Sequence, residues 1–144
     1  MKVKIKLLRD GAALPKYATE GSAGADLSAL LDSPVTIAPS ATEKIPTGIS
    51  IELPTGYAAF VYARSGTATK RGLAPANKVG VIDSDYRGEI FVALHNHSGE
   101  PQEIVSGERI AQLVIAPVVF ADLEIAHERD DTARGIGGFG STGK

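Results

Sequence analysis

The chain predicts an all-β subunit, an antiparallel sandwich or jelly roll with one short helix and a flexible C-terminal arm. Three observations predict it. Short β-branched runs recur along the chain, Gly or Pro punctuates the gaps between them, and only Ser65 to Arg71 offers a helix. Many short strands at close spacing favour antiparallel pairing over βαβ units. The chain opens on a period-two alternation, with Val3, Ile5 and Leu7 on one side and Lys2, Lys4 and Lys6 on the other, as expected of a half-buried strand. Further strands are expected at Val35–Ile37, Ile49–Leu53, Tyr57–Ala63, Lys78–Ile82, Glu89–His95, Gln102–Val105, Ile110–Ile115 and Leu123–Ala126. Turn residues such as Pro34, Pro39, Gly48, Pro54, Gly56, Gly88, Gly99 and Gly107 separate them. The helix has Ser65 as its expected N-cap and Gly72 as its stop.

From Arg129 the character changes. The last fifteen residues hold five glycines and, as large apolar residues, only Ile136 and Phe139. Such a segment buries too little surface to offset its ordering entropy, so it is expected to be mobile in the empty protein. The chain therefore divides into a β domain over 1–128 and a Gly-rich arm over 129–144.

Composition bounds what the domain does. At 144 residues it is one domain, and a formal net charge of −2 lacks the basic excess of a non-specific nucleic-acid binder. Zero cysteines exclude disulfides, thiolate catalysis and Cys-ligated zinc. The lysine-interleaved N-terminus has no signal-peptide core. The apolar run Leu113–Ala121 is too short to span a membrane. No nucleic-acid or membrane partner is expected, and a cytoplasmic location is the default.

The most informative stretch is Gly80-Val81-Ile82-Asp83-Ser84-Asp85-Tyr86-Arg87-Gly88. Asp, Ser and Gly are ordinary turn residues. A plain hairpin, however, needs no Tyr beside its carboxylates. A carboxylate held at a rigid strand end, next to a flat ring, suits a general base beside a sugar or nucleobase. Ala63-Arg64-Ser65-Gly66 brings a guanidinium, a hydroxyl and free amides to a helix start, a ready anion site. In the arm, Gly135-x-Gly137-x-x-Gly140 and Gly138-x4-Gly143-Lys144 mimic dinucleotide and Walker A loops. Both motifs need a preceding strand and a following helix N-terminus, and neither flank is present. The arm reads better as a lid, with Arg134 and backbone amides for phosphate and Phe139 for a base. His95, His97 and His127 lack metal-ligand spacing. Asn96-His97-Ser98 fits a glycosylation sequon without a secretory context.

Taken in order, Ala23-Gly24-Ala25-Asp26-Leu27, Arg64-Ser65-Gly66, Asn77 through Gly88, Gly107-Glu108-Arg109-Ile110-Ala111-Gln112 and Arg134-Gly135-x-Gly137-Gly138-Phe139-Gly140-Ser141 closely resemble the five motifs of the trimeric deoxyuridine triphosphatase family. The resemblance spans essentially the whole chain, and its third and fifth motifs are the most specific. Thr67 departs from the larger apolar residue common in the second motif, at a position that makes no phosphate contact.

The resemblance implies a jelly-roll-like subunit in a homotrimer whose active sites lie between subunits. It implies hydrolysis of dUTP to dUMP and pyrophosphate, which limits uracil in DNA and supplies the thymidylate precursor. Asp83 would deprotonate the water that attacks the α-phosphorus and bond the sugar 3′-hydroxyl. Tyr86 would lie under the deoxyribose and exclude a 2′-hydroxyl. The strand pair around Asn77 to Ile90, with Val81 and Ile82, would read uracil through its backbone and the Asn77 amide. Arg64, Ser65, Gly66 and Gln112 would hold the phosphates. Arg134, Gly140, Ser141 and Thr142 would clamp the γ end while Phe139 stacks on uracil. Mg²⁺ would ride on the triphosphate and reach Asp26 only through water. The dCTP deaminases share the fold but carry a catalytic glutamate on the strand after their third motif, where this chain has Ala93. The third alternative is a binding module that has lost turnover.

Overall fold

The structure, a computed structural model, describes residues 1–138. Its strands are β1 (Lys4–Leu7), β2 (Lys16–Tyr17), β3 (Ala25–Ser28), β4 (Val35–Ile37), β5 (Thr42–Pro46), β6 (Ile49–Glu52) and β7 (Tyr57–Tyr62). After the helix α1 (Ser65–Arg71) come β8 (Leu73–Pro75), β9 (Gly80–Ile82), β10 (Phe91–Asn96), β11 (Gln102–Ile104) and β12 (Arg109–Pro117). Every pairing is antiparallel. One sheet runs β2-β3-β12-β7-β9, a second β5-β10-β8, and the pairs β1-β6 and β11-β4 complete the β layers. This is the jelly-roll-type all-β architecture that the punctuation of the sequence predicts.

Alternation along β10 shows how the sheet separates core from site. Val92, Leu94 and Asn96 are buried, while Phe91, Ala93 and His95 face outward. The inward set joins Leu27, Ile37, Ile45, Ile49, Leu73, Ile104 and Ile110 in one aliphatic core. Burial of each such side chain stabilises the fold by about 1.5–3 kcal/mol.

Asn96 is the polar exception, fully buried yet fully bonded. Its amide donates to the carbonyls of Ile37 (2.9 Å) and Glu100 (2.8 Å), and its oxygen accepts from the Ser98 N–H (2.9 Å) and hydroxyl (2.7 Å). The Asn-His-Ser sequence is thus an internal turn rather than a surface acceptor. Asn96→Ala should lower unfolding stability by roughly 3 kcal/mol, because it strands several buried partners at once. Denaturant titration checks this, and a change below about 1 kcal/mol would show that the network relaxes onto other donors.

The helix occupies the expected residues, with one correction. Arg64 is the N-cap, with extended backbone and no side-chain cap bond, and Ser65 is the first helical residue. Gly72 ends the helix at φ 67°, where its N–H returns to the Ala68 carbonyl. In the last turn Arg71 pairs with Glu108 and donates to Gln102 (3.0 Å) and the Glu103 carbonyl. The helix is thereby tied to β11 and to the turn before β12.

Two further expectations are corrected. Leu123–Ala126 forms no strand, and no strand among the described residues pairs with it. Leu123 and Ile125 stay 94% and 93% exposed. The segment from Asn77 to Ile90 is not a pair of strands bonded to each other. Its strand β9 pairs with β7, and Glu89 and Ile90 lie outside any strand.

Candidate active site

The path from Asn77 to Phe91 builds a cleft. The chain leaves β8 in the three-stranded sheet and turns at Asn77–Val79, with Lys78 in the left-handed region at φ 64°. It then joins the five-stranded sheet as β9 and comes back through the Asp83–Gly88 turn to β10. Between the two sheets lies a cleft of about 320 Å³, the size of a small-molecule site. Asn77, Val81, Ile82, Asp83 and Tyr86, all expected from sequence, line it together.

β9 is an edge strand, so one side of its backbone bonds β7 and the other offers free amides and carbonyls. Such an edge can read a flat ring that carries alternating donors and acceptors. Position 80 leaves little room for a side chain, since a Cβ there would stand 3.2 Å from Val61 and 3.4 Å from the Asn77 amide nitrogen.

Asp83 follows β9 directly and is exposed, and among the described residues it forms no salt bridge. Nearby Arg87 turns away and donates to the Ser84 (2.7 Å) and Tyr86 (3.0 Å) carbonyls. The Tyr86 ring folds over Gly88, where a Cβ would stand 2.3 Å from the hydroxyl oxygen. That hydroxyl donates to the Glu89 carbonyl at 3.0 Å.

A second pocket collects the other expected residues: Asp26, Arg64, Ser65, Gly66 and Gln112, with Gly24 at its wall. A β-bulge makes this possible. Arg109 and Gln112 are three apart, a spacing that puts side chains on opposite faces of a regular strand. The register of β12 against β3 slips between Arg109 and Ala111, and the extra residue turns both side chains toward Asp26. Arg109 Nη1 reaches Asp26 Oδ2 at 3.0 Å, and Arg64 Nε reaches Asp26 Oδ1 at 2.6 Å. Gln112 donates to the Ala63 carbonyl at 2.8 Å and lies so close over Gly24 that a Cβ would stand 2.6 Å from its oxygen.

The two pockets share no lining residue. Arg134 lines neither and donates to the Gly137 carbonyl at 2.9 Å within its own turn. Phe139, Gly140, Ser141 and Thr142 lie outside the described residues. One cleft thus joins an open strand edge, a tyrosine ring and a carboxylate without a salt bridge among the described residues, and a separate pocket holds a guanidinium, a hydroxyl and a side-chain amide.

A sequence model of the family described as dUTPase matches residues 10–143. The chain belongs to the dUTPase family. As a member it is a hydrolase, a dUTP diphosphatase. It is similar to the deoxyuridine 5′-triphosphate nucleotidohydrolase of Desulfitobacterium hafniense, with 57% identity over 146 residues, 99% of this chain and 97% of that one. The enzyme of the same name from Thiobacillus denitrificans is 50% identical, over 100% of this chain and 99% of its own. The Staphylococcus bacteriophage 80alpha dUTPase solved with dUPNHPP superposes at a TM-score of 0.87 with 27% identity, covering 99% of both chains.

In this dUTPase, sequence reasoning missed Phe91 and Glu89 on the wall of the cleft, and Lys44, whose ammonium sits 4.0 Å from the centre of the Phe91 ring. The outward phase of β10 was the available signal for Phe91. For Lys44 there was none, because β5 is too polar to read as a strand. Asp26 also bears on the metal. Both its oxygens are engaged by arginines, and among the described residues no three carboxylates or imidazoles gather to hold an ion. This donor set suits a cation that arrives on the phosphates and meets Asp26 through water. No helix among the described residues is long and apolar enough to cross a membrane.

Proposed function

We propose that this dUTPase cleaves dUTP to dUMP and pyrophosphate by attack of water on the α-phosphorus, with Asp83 as the general base. The product would feed thymidylate synthesis, and removal of the substrate would limit uracil in DNA. One observation carries the reading: a carboxylate with no salt bridge among the described residues, at the end of an open-edged strand and beside a tyrosine on the wall of the same cleft. Uracil meets the β9 edge and Asn77, and the deoxyribose lies on Tyr86 with its 3′-hydroxyl toward Asp83. Arg64, Ser65, Gly66 and Gln112 receive the phosphates. Arg64 still has N–H groups to offer while Asp26 fixes its Nε. Mg²⁺ carried by the triphosphate would offset its charge, and Asp26 is the residue that would hold it, through water. The chemistry is positioning and electrostatics around an in-line displacement.

The working unit is a homotrimer with sites shared between subunits. The separation of the two pockets supports this, as does an apolar segment that stays largely exposed among the described residues. Val119, Phe120, Leu123 and Ile125 are all at least 74% exposed, more than a soluble chain leaves uncovered in one short segment. Residues 129–144 act as the lid, bringing Arg134 to the γ-phosphate and Phe139 to uracil.

Deamination is disfavoured at Ala93. The residue lines the cleft and presents only a methyl group, so no carboxylate is available there to shuttle protons. Incubation with Mg²⁺ and either dUTP or dCTP separates the readings. Pyrophosphate from dUTP is expected, whereas ammonia from dCTP or inertness toward both would refute the proposal.

Sugar selection gives a second test. Tyr86→Ala opens the space below C2′, so UTP should gain on dUTP by about 1–3 kcal/mol in relative kcat/KM. An unchanged ratio would place the discrimination elsewhere.

A further inference from the structure

Asp83 and Glu89 are the two carboxylates on the wall of the base cleft, and they are held in opposite ways. Asp83 is exposed and forms no salt bridge among the described residues. The Glu89 side chain is only 19% exposed and is engaged twice. Its Oε1 accepts the Gly48 N–H at 2.8 Å and lies 3.6 Å from Arg9 Nη2. Gly48 is committed to this geometry. Its φ is +71°, and a Cβ there would stand 2.3 Å from Leu30 Cδ2. Arg9 Nη2 in turn lies 3.4 Å from the Leu30 carbonyl.

Beyond Glu89 the chain is fastened to the same platform. Ile90 N–H donates to the Ile49 carbonyl at 2.8 Å, and Thr47 Oγ1 donates to the Ile90 carbonyl at 2.6 Å. Before Glu89, the turn from Asp83 to Gly88 is held by local bonds: Tyr86 N–H to the Asp83 carbonyl and Arg87 to the Ser84 and Tyr86 carbonyls. The Tyr86 hydroxyl adds a bond of the same short span, but it ends beyond the turn, on the Glu89 carbonyl.

We propose that Glu89 is a positioning residue for sugar selection: its carboxylate, clasped by Gly48 and Arg9, fixes the carbonyl on which the Tyr86 hydroxyl rests. The Tyr86 ring is then held flat over Gly88 instead of swinging into solvent. Glu89 touches no reacting atom in this arrangement and acts only through Tyr86. The inference rests on the proposed dUTP hydrolysis for its kinetic consequence but not for the clasp itself.

The test therefore has two arms. In the free protein, backbone amide exchange over residues 84–88 should quicken about tenfold in Glu89→Ala and return near wild type in Glu89→Gln, whose amide oxygen still accepts from Gly48. With substrates, Glu89→Ala should raise the UTP/dUTP ratio of kcat/KM about tenfold, mainly through KM, and Glu89→Gln should restore it. Should the alanine variant fail to fold, Glu89→Asp, one methylene shorter and out of reach of Gly48, takes its place in both arms. Unaltered exchange or an unaltered ratio would overturn the clasp. A glutamine variant as impaired as alanine would overturn it too, because charge and not hydrogen-bond acceptance would then be the working property. If the wild-type protein releases no pyrophosphate from dUTP, the proposed reaction fails, and the exchange arm still decides the clasp.

Discussion

Asp83→Asn is expected to lower turnover of dUTP by about 10²–10⁴ while leaving nucleotide binding nearly intact. The residue follows Ile82, which is buried and registered against Ala59 of β7, so the strand end that carries the carboxylate is fixed. Asparagine keeps the size of the group and its capacity to bond a sugar hydroxyl. It cannot accept a proton at neutral pH, and that is the property the attacking water requires. No arginine or lysine among the described residues pairs with this carboxylate, so the substitution strands no partner charge. Steady-state kinetics and equilibrium binding of dUTP, read together, check the expectation. An asparagine variant that retains more than a tenth of wild-type turnover would remove Asp83 from the role of base.

The second large effect concerns the arm. A chain ending at Glu128 retains Val119, Phe120, Leu123 and Ile125, the exposed apolar residues suited to assembly, and loses Arg134 and everything after it. It should fold and assemble yet lose most activity if the arm clamps the γ end of the triphosphate as proposed. Combined with Asp83→Asn, truncation tests the shared site. If each site draws Asp83 and the arm from different subunits, coexpression of the two inactive chains in equal amounts gives roughly a quarter of full activity (½ × ½) by random assortment in a symmetric assembly. If one chain supplied both, no mixture could hold a complete site. Activity no higher than that of the parents, in trimers shown to be mixed, would reject the shared site.

Local chemistry and tertiary context divided what the sequence could disclose. Runs such as Val35–Ile37 and Tyr57–Tyr62 announce themselves because β-branched and aromatic side chains fit a half-buried pleat. The end of the helix was legible to the residue through Gly72, whose left-handed conformation is costly for other residues, whereas its N-cap lies one residue earlier than expected. β3 and β5 were not. Ala-Asp-Leu-Ser and Thr-Glu-Lys-Ile-Pro have turn-like or charged compositions, and their partners β12 and β10 make them strands. Leu123–Ala126 errs in the opposite direction: its alternation is strand-like, but strand formation needs a neighbour. Within the site, the cluster from Asn77 to Tyr86 was readable because one short segment carries it. The gathering of Asp26, Arg64, Arg109 and Gln112 depends on a bulge whose extra residue leaves no mark in composition. Glu89 was hidden for a similar reason, since its partners Arg9 and Gly48 lie far away in sequence.

The disjoint linings of the cleft and the second pocket, under the proposed sharing of sites between subunits, would also make catalysis subject to mass action. If each site is shared between subunits as proposed, a lone subunit holds all the motifs but no complete site, and catalytic competence is a property of association rather than of folding. Specific activity would then stay constant on dilution down to the dissociation range and fall steeply below it, while spectroscopic signs of folding persist. Substrate that bridges two subunits would push that range to lower concentration. The enzyme would thus be held together by what it consumes, and would fall idle first where both protein and dUTP are scarce.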